Sequence, residues 1–340
     1  MSTNLKELAR RLGLSPTTVS RALSGYSDVS AATRDRVRQA AHESGYQPNP
    51  AARRLARGRA DAVGIVYPVD TDFMGNPTFL EMIAGVSDRL DVAGVDVLLA
   101  VARERSELRT YERLVRSHRV DGLIVAHTRV VDERIDYLLK VGFPFVGYGR
   151  TGRPDGFAWL DFDNEAGCRE AVRHLAGLGH KRIAHVHGPL ELNFAQQRHE
   201  GFMRGMAEVG LAVRPEYVAP GSLDRRGGYA AGQRLLALAE RPTAILVDNN
   251  LCGVGVVRAL LEAGLAIGRD MSIVVNDGIP QDTLLMGHDI AAVTQPTAYE
   301  SGTTMADMLL KLIEGKPLER PQVLLQPKFV AGGSIGRPPA

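Results

Sequence analysis

The 340-residue sequence is poor in cysteine, in long apolar runs and in net charge, and each shortage excludes something. Only Cys168 and Cys252 are present. They lie far apart in apolar helical settings without metal-ligand spacing, so they are expected to be small core residues in a reducing cytoplasm. No apolar stretch approaches the roughly 18 residues of a membrane span, and the chain is polar from Ser2 on. Neither a membrane segment nor a signal peptide is therefore expected. The sequence also lacks a phosphate-cradling glycine loop, a nucleophile elbow and a metal-ligand run, so no catalytic residue and no metal or other cofactor is assigned. His180, His185 and His187 alternate through a strand start and are expected to be split by the pleat rather than to form a tight site.

The formal net charge of +2 hides an asymmetry. Residues 1–60 carry eleven basic side chains against four acidic ones, leaving −5 for the remainder. A small basic head on an acidic body fits a head that meets a polyanion. Within that head, Leu5, Leu8, Ala9 and Leu12 recur at helical spacing, Gly13 permits a sharp turn, and Ser15 followed by Pro16 starts a second helix. Val19, Ala22 and Leu23 face inward, which leaves Pro16, Thr17, Thr18, Ser20 and Arg21 outward. Ser30 caps a third helix, with Val37, Ala40 and Ala41 on its apolar side, and Gly45 ends it. Three short helices in about 45 residues make a head too small to be very stable alone. Tyr46–Pro50 then restarts the chain, and Ala51–Arg57 is a short basic helix candidate that in water should fold only on binding.

From Asp61 the texture changes. Short apolar, β-rich runs at 63–67, 95–101, 122–125 and 145–148 alternate with helical patterns near 79–94, 105–117 and 132–141. A second set has strands at 182–187, 217–218, 244–247 and 272–275, with helices near 164–178, 198–210, 227–239 and 252–263. Such alternation means βαβ units in parallel sheets, and two sets mean two similar subdomains sharing a cleft. The fold class is thus α/β: an all-α helix-turn-helix head and a periplasmic-binding-protein-like core. The expected boundaries are 1–48 for the head, 49–60 for a hinge and 61–340 for the core. Within the core, the N-subdomain takes about 61–160 and 291–325, with a last helix near 298–313 returning to it. The C-subdomain takes about 161–290 and 326–340. Ligands of such sheets bind beyond the carboxyl ends of the strands. Asp70, Phe73, Asn76 and Phe79 follow the first strand, His127 the third, and Gly149 and Arg150 the fourth. Trp159 and Asp161 lie on the crossover. Asn164 and Asn250 read equally as helix caps or ligands.

Leu5–Leu23, Val29–Arg34, Gly45–Pro50 and Ala52–Leu55 together resemble the head of the lactose/galactose repressor (LacI/GalR) family of bacterial transcriptional regulators, and the resemblance runs on through nearly the whole chain. It implies a homodimer that reads a pseudo-palindromic double-stranded operator. Base contacts then fall to Pro16, Thr17 and Arg21, the last able to donate to guanine O6 and N7. Phosphate contacts fall to Thr18, Ser20, Ser30, Thr33 and Asn49. The segment around Arg53 corresponds to the family's hinge helix, in which Leu55 occupies the position of a leucine that wedges into the minor groove. In the cleft, Arg198 matches an effector-holding arginine and Phe194 a smaller ligand-facing residue. Asn249 matches an asparagine that contacts sugar hydroxyls, Asp277 an effector-binding aspartate, and Gln295 a ligand-facing glutamine.

With Phe73, Phe79, His127, Arg150 and Asp161, these residues supply the carboxylates, amides, arginine and rings that a mono- or disaccharide needs. Two departures concern the effector. Gly149 stands where some sugar-binding members have aspartate and Ala126 where they have asparagine, with Arg150 and His127 beside them as substitutes. In these positions and in Asn76–Pro77 the sequence looks more like repressors of α-glucoside and other glycoside operons.

The function expected is a cytoplasmic, DNA-binding repressor of carbohydrate use. A sugar in the cleft would rotate the subdomains and so set whether the hinge segments fold on DNA. The end of the chain, Phe329–Ala340, shows no heptad for the family's tetramerisation helix, so a dimer is expected. The competing class is a sugar-binding transport or chemosensory protein without a DNA role, against which the basic head and polar N-terminus argue. A sugar-active enzyme on the same scaffold is the third reading, disfavoured by the missing catalytic motifs.

Overall fold

The computed structural model of the chain describes residues 4–23, 26–46, 58–68, 76–103, 106–279 and 289–339. Asn49, Arg53, Leu55 and Phe73, and with them most of the expected hinge, lie outside the described residues. The chain divides into two units, 1–61 and 62–340.

In the first unit, α1 (Leu5–Leu12) begins at Asn4, whose side chain accepts from the Glu7 amide at 3.0 Å, and stops at Gly13 with φ 65°. That left-handed turn is open to glycine at no steric cost. Ser15 starts α2 (Pro16–Leu23) by accepting from the Thr18 amide at 3.0 Å. Ser30 caps α3 (Ala31–Glu43) in the same way through the Thr33 amide at 3.3 Å. Leu8, Ala9, Val19, Ala22, Val29, Val37 and Ala41 form the small core, edged by Leu5, Leu12, Leu23 and Tyr46. All but Val29 and Tyr46, which lie outside the helices, are positions that helical periodicity selects.

The second unit holds two six-stranded sheets. In the first, the order is β11 (Gln322–Leu325), β5 (Ala158–Phe162), β4 (Phe145–Tyr148), β3 (Gly122–Val125), β1 (Ala62–Pro68) and β2 (Asp96–Ala102), and every pairing is parallel. In the second, the order is β12 (Lys328–Val330), β10 (Ala291–Thr294), β9 (Ser272–Asn276), β8 (Ala244–Val247), β6 (Ile183–His187) and β7 (Val218–Pro220). Only the β10–β12 pairing is antiparallel. Parallel strands covered on both faces are near-continuous apolar runs, and β3, β6, β8 and β9 are buried along their length, with His185, His187, Ser272 and Asn276 the polar exceptions.

The described helices of this unit are α4 (Pro77–Asp91), α5 (Glu107–Arg116), α6 (Glu133–Val141), α7 (Asn164–Gly177), α8 (Asn193–Glu208), α9 (Arg225–Leu236), α10 (Asn250–Glu262) and α11 (Ala298–Ile313). The helical pattern near 298–313 is α11, and it packs on the first lobe, burying Met305, Ala306 and Leu309 against Val63, Ile65 and Ile124. It meets α4 backbone to backbone. A Cβ on Gly302 would stand 2.2 Å from the Met82 carbonyl oxygen, and one on Gly85 2.0 Å from that of Tyr299.

Two expected boundaries shift. Residues 291–294, assigned from sequence to the N-subdomain, form β10 and pair with β9 in the second sheet, Ala291 opposite Val274. Trp159 and Asp161, read as lying on the crossover, belong to β5, an inner strand of the first sheet that runs past the boundary expected near 160. Lobe membership follows the hydrogen-bond ladder rather than nearness in sequence to α11.

Candidate ligand cleft and DNA-facing helix

The carboxyl ends of both sheets face one cavity of about 850 Å³ of empty space, its open mouth included. Phe79, His127, Asp161, Phe194, Arg198, Asn249, Asp277 and Gln295 all stand in its wall. Arg150 does not. Its Nε is 3.4 Å from Asp161 and its guanidinium 5.9 Å from the Trp159 ring centre. The arginine expected to touch the ligand therefore positions a carboxylate that does line the cavity.

Among the described residues of the cavity wall, Arg198 is the permanent cation. It projects from the second turn of α8 and its side chain is 4 % exposed. Its Nε donates to Asn164 Oδ1 at 3.0 Å, Nη1 also donates to the Asp248 carbonyl, and both Nη atoms reach the Asp277 carboxylate at 3.2–3.3 Å. Burial alone would lower the Arg198 pKa, but the Asp277 and Asp248 carboxylates reverse this and fix its charge. Phe194, one turn before it, lies under the guanidinium at 5.1 Å.

Asp277 and His127, each just past a strand end, adopt left-handed backbones with φ 67° and 49°. Non-glycine residues rarely do so, and such conformations collect at functional sites. Burial, reinforced by Arg134 and Arg129, pushes the His127 pKa down to about 4, so its ring is neutral near pH 7. Asp161 is buried, which raises its carboxyl, and it accepts from the Phe162 amide at 2.8 Å and the Arg150 amide at 3.2 Å. The cavity's aromatic lining comes from Tyr67 and Phe79, stacked with centroids 3.7 Å apart, and from Tyr148, Phe162 and Phe194.

Two asparagine assignments move by one residue. Asp163 caps α7 through the Ala166 amide at 3.0 Å, which frees Asn164 to bridge Arg198 and, at 3.0 Å, Gln197. Asn249, expected purely as a ligand, also caps α10, its Oδ1 accepting from the Cys252 amide at 2.9 Å. Its neighbour Asn250 crosses the cleft to Asn76 at 3.2 Å and Thr78 at 3.1 Å. Tyr67, Tyr148 and Thr128 were missed. The tyrosines are the last or next-to-last residues of β1 and β4, whereas the search began after each strand.

The histidines need correction too. His185 and His187, two apart on β6, share a face, and His199 joins them, with ring centroids 5.4–5.9 Å apart. The two-residue period of a strand requires this. His180 sits apart, bonded to Thr243 and Ser272. His185 Nε2 lies 2.8 Å from Asp248. Burial would raise the Asp248 carboxyl, but His185 and Arg198 hold it below the usual range. Among the described residues no His, Cys, Asp and Glu cluster has the geometry to hold a metal ion, and no helix is long and apolar enough to cross a membrane. Cys168 and Cys252 are buried thiols.

On the head, Pro16, Thr17 and Arg21 are exposed on α2, with Thr18 and Ser20 half-buried. Arg21 is folded back, 2.8 Å from Asp28 and 5.2 Å from the Tyr26 ring centre. The hydroxyls of Thr18 and Thr33 each lie 2.8 Å from the capping serine hydroxyl, Ser15 and Ser30 respectively.

Comparison with known proteins assigns both units. Residues 4–49 match the family described as bacterial regulatory proteins, lacI family. Residues 60–332 match the periplasmic binding proteins and sugar binding domain of the LacI family. The chain is 40% identical to the HTH-type transcriptional regulator RafR of Escherichia coli over 336 residues, 98% of this chain and 99% of that one. Among solved structures, the lac repressor dimer bound to operator and the anti-inducer ONPF aligns with TM-score 0.84 at 26% identity, covering 99% of this chain and 100% of that one. A complex of the transcriptional regulator CelR with cellobiose aligns with TM-score 0.74 at 26% identity, covering 98% and 99%. A helix-turn-helix head followed by a two-lobed sugar-binding core, matched over nearly its whole length, means that this chain belongs to the LacI family of bacterial transcriptional regulators and is not an enzyme.

Proposed function

We propose that this regulator is a cytoplasmic homodimer that represses a carbohydrate-utilisation operon and is controlled by an uncharged mono- or disaccharide in the cleft. The head, 1–48, reads one half of a pseudo-palindromic operator through Pro16, Thr17 and Arg21, with Thr18, Ser20, Ser30, Thr33 and Asn49 on phosphates. The hinge, 49–60, brings Arg53 and Leu55 to the minor groove. The remainder binds the effector, through Phe73, Phe79, His127, Asp161, Phe194, Arg198, Asn249, Asp277 and Gln295, with Arg150 acting through Asp161.

The observation that carries the choice of effector is the pairing of charge in the cavity. Arg198 faces Asp277, Arg150 faces Asp161, and His127 is neutral near pH 7. A phosphorylated sugar would need a cation without a counter-charge, because a buried phosphate must be paired. A neutral polyol instead uses carboxylate and amide acceptors, guanidinium donors and an aromatic face together. Relatives support the reading by what they hold: CelR was solved with cellobiose, and the lac repressor dimer with its operator.

Two measurements test it. A thermal-shift screen of mono- and disaccharides, with sugar phosphates as controls, should yield a neutral sugar. At 100 times its dissociation constant such a ligand adds about 2.7 kcal/mol of stability. Operator binding should weaken with salt with a log–log slope of several units. Purified protein that prefers no palindrome over random duplex would end the DNA half of the reading. A response to sugar phosphates alone would end the effector half.

A further inference from the structure

The two lobes are joined at a second place beside the cavity. The segment after β3 meets the segment before α8 as a short antiparallel bridge between Arg129 and Leu192. The Asn193 amide donates to the Thr128 carbonyl at 2.9 Å, and the Val130 amide to the Glu191 carbonyl at 2.9 Å. The Asn193 side-chain amide and the Thr128 hydroxyl both donate to the Arg150 carbonyl, each at 2.9 Å. This clasp is continuous with the cavity wall on both sides. His127 immediately precedes Thr128, Phe194 immediately follows Asn193, and both line the cavity.

The first lobe's half of the clasp rests on a buried cage of four charges. Arg134 is 1 % exposed. Its guanidinium donates to Glu107 at 2.5 Å, to both oxygens of Asp132 at 2.6 and 2.8 Å, and to the carbonyls of Ala126 and His127 at 3.3 and 2.9 Å. Arg129 donates to the other Glu107 oxygen at 2.8 Å, and its amide donates to Asp132 at 2.9 Å. Stability alone does not call for such a cage, since replacing buried ion pairs by apolar groups is often neutral or stabilising. Directional bonds to two consecutive carbonyls do something apolar packing cannot. They hold the peptide at His127 in the left-handed conformation its side chain disfavours, and so aim Thr128 and Val130 across the cleft.

We propose that Arg134 is a positioning residue for the effector response: through the carbonyls of Ala126 and His127 it holds the clasp in register, so that a ligand touching His127 and Phe194 closes the lobes through it. The proposal takes from the preceding section only that a ligand fills the cavity. Its test uses ligand-free protein, so its failure leaves that reading standing.

The test is hydrogen–deuterium exchange of the full chain, comparing wild type with Arg134→Lys. A lysine keeps the charge but cannot reach both carboxylates and both carbonyls. The expected result is exchange at the Val130 and Asn193 amides faster by about tenfold or more, with β6 and the C-terminal half of α8 unchanged. Asn193 is the decisive position, because it lies in the other lobe. A cage that merely stabilised its own lobe would speed exchange in β3 and β4 as well, whereas a positioning residue speeds the clasp amides with those strands at their wild-type rates. Folded Arg134→Lys protein with wild-type exchange at Asn193 overturns the proposal. Should that variant fail to fold, Glu107→Gln replaces it. This change keeps the side chain's shape but removes one of the two carboxylates that hold the Arg134 guanidinium in place, and it should speed both amides by a smaller factor. Unchanged exchange there overturns the proposal equally.

Discussion

Replacing Asp277 by asparagine isolates the charge that faces Arg198. The side chain keeps its shape, and asparagine tolerates the left-handed backbone found there, φ 67°. Removing one partner of a fully buried ion pair costs about 3–5 kcal/mol, because the other charge is left uncompensated. Three features lower that figure here. Asp277 is 23 % exposed, its contacts with Arg198 are long at 3.2–3.3 Å, and the guanidinium retains Asn164 and the Asp248 carbonyl. The expected loss is therefore about 2 kcal/mol, or roughly 4–8 °C in melting temperature for a core of this size. Urea unfolding of the variant against wild type measures it, with an unchanged m-value marking a true stability effect. If Asp277 also accepts from a sugar hydroxyl, calorimetry with the best sugar from the screen should show affinity lower by about 10- to 100-fold, while ligand-free operator binding is kept. Wild-type unfolding midpoint and wild-type sugar affinity together would refute the pairing and the role drawn from it.

Arg21→Ala should weaken operator binding by about 10- to 100-fold, the worth of one bidentate base contact, in a gel-shift or anisotropy titration. It should leave the melting temperature within about 1 °C, because its pair with Asp28 is half exposed on both sides; unchanged operator affinity refutes the base contact. Gly302→Ala drives a methyl to 2.2 Å from the Met82 carbonyl oxygen and should cost about 1–3 kcal/mol or more by parting α4 from α11. An unfolding midpoint equal to wild type would show that the helices yield freely. His127 binds a proton in the unfolded chain near pH 6.5 but in the fold only near pH 4. Its contribution is thus complete above pH 6.5 and is lost as pH falls towards 4, by about 2 kcal/mol once its partial exposure is allowed for. His127→Asn should flatten that limb of the stability–pH curve, and an unaltered limb refutes the shift.

What the sequence by itself determined is local and periodic. The head's helices, caps and core were legible because Leu5, Leu8, Val19, Ala22 and Val37 recur with the 3.6-residue period, and because Asn4, Gly13, Ser15 and Ser30 act within one turn of their own backbone. The strand ends that carry Asn249 and Asp277 were legible because β-rich runs alternate with helices, and family resemblance named these two positions and Arg198 on α8.

The tertiary structure alone decided partners distant in sequence. It placed β10 in the second sheet, paired Arg150 with Asp161, and brought His199 to His185 and His187. It also chose Asp163 and Asn249 as caps, which left Asn164 and Asn250 to reach Arg198 and Asn76. The physical reason is the same throughout. Periodicity and capping are energies between residues a few positions apart, so they are written in the order of the chain. A buried charge settles on whichever counter-charge or carbonyl the packed lobes bring within about 3 Å, and nothing in the spacing of Glu107, Asp132 and Arg134 announces that they will meet.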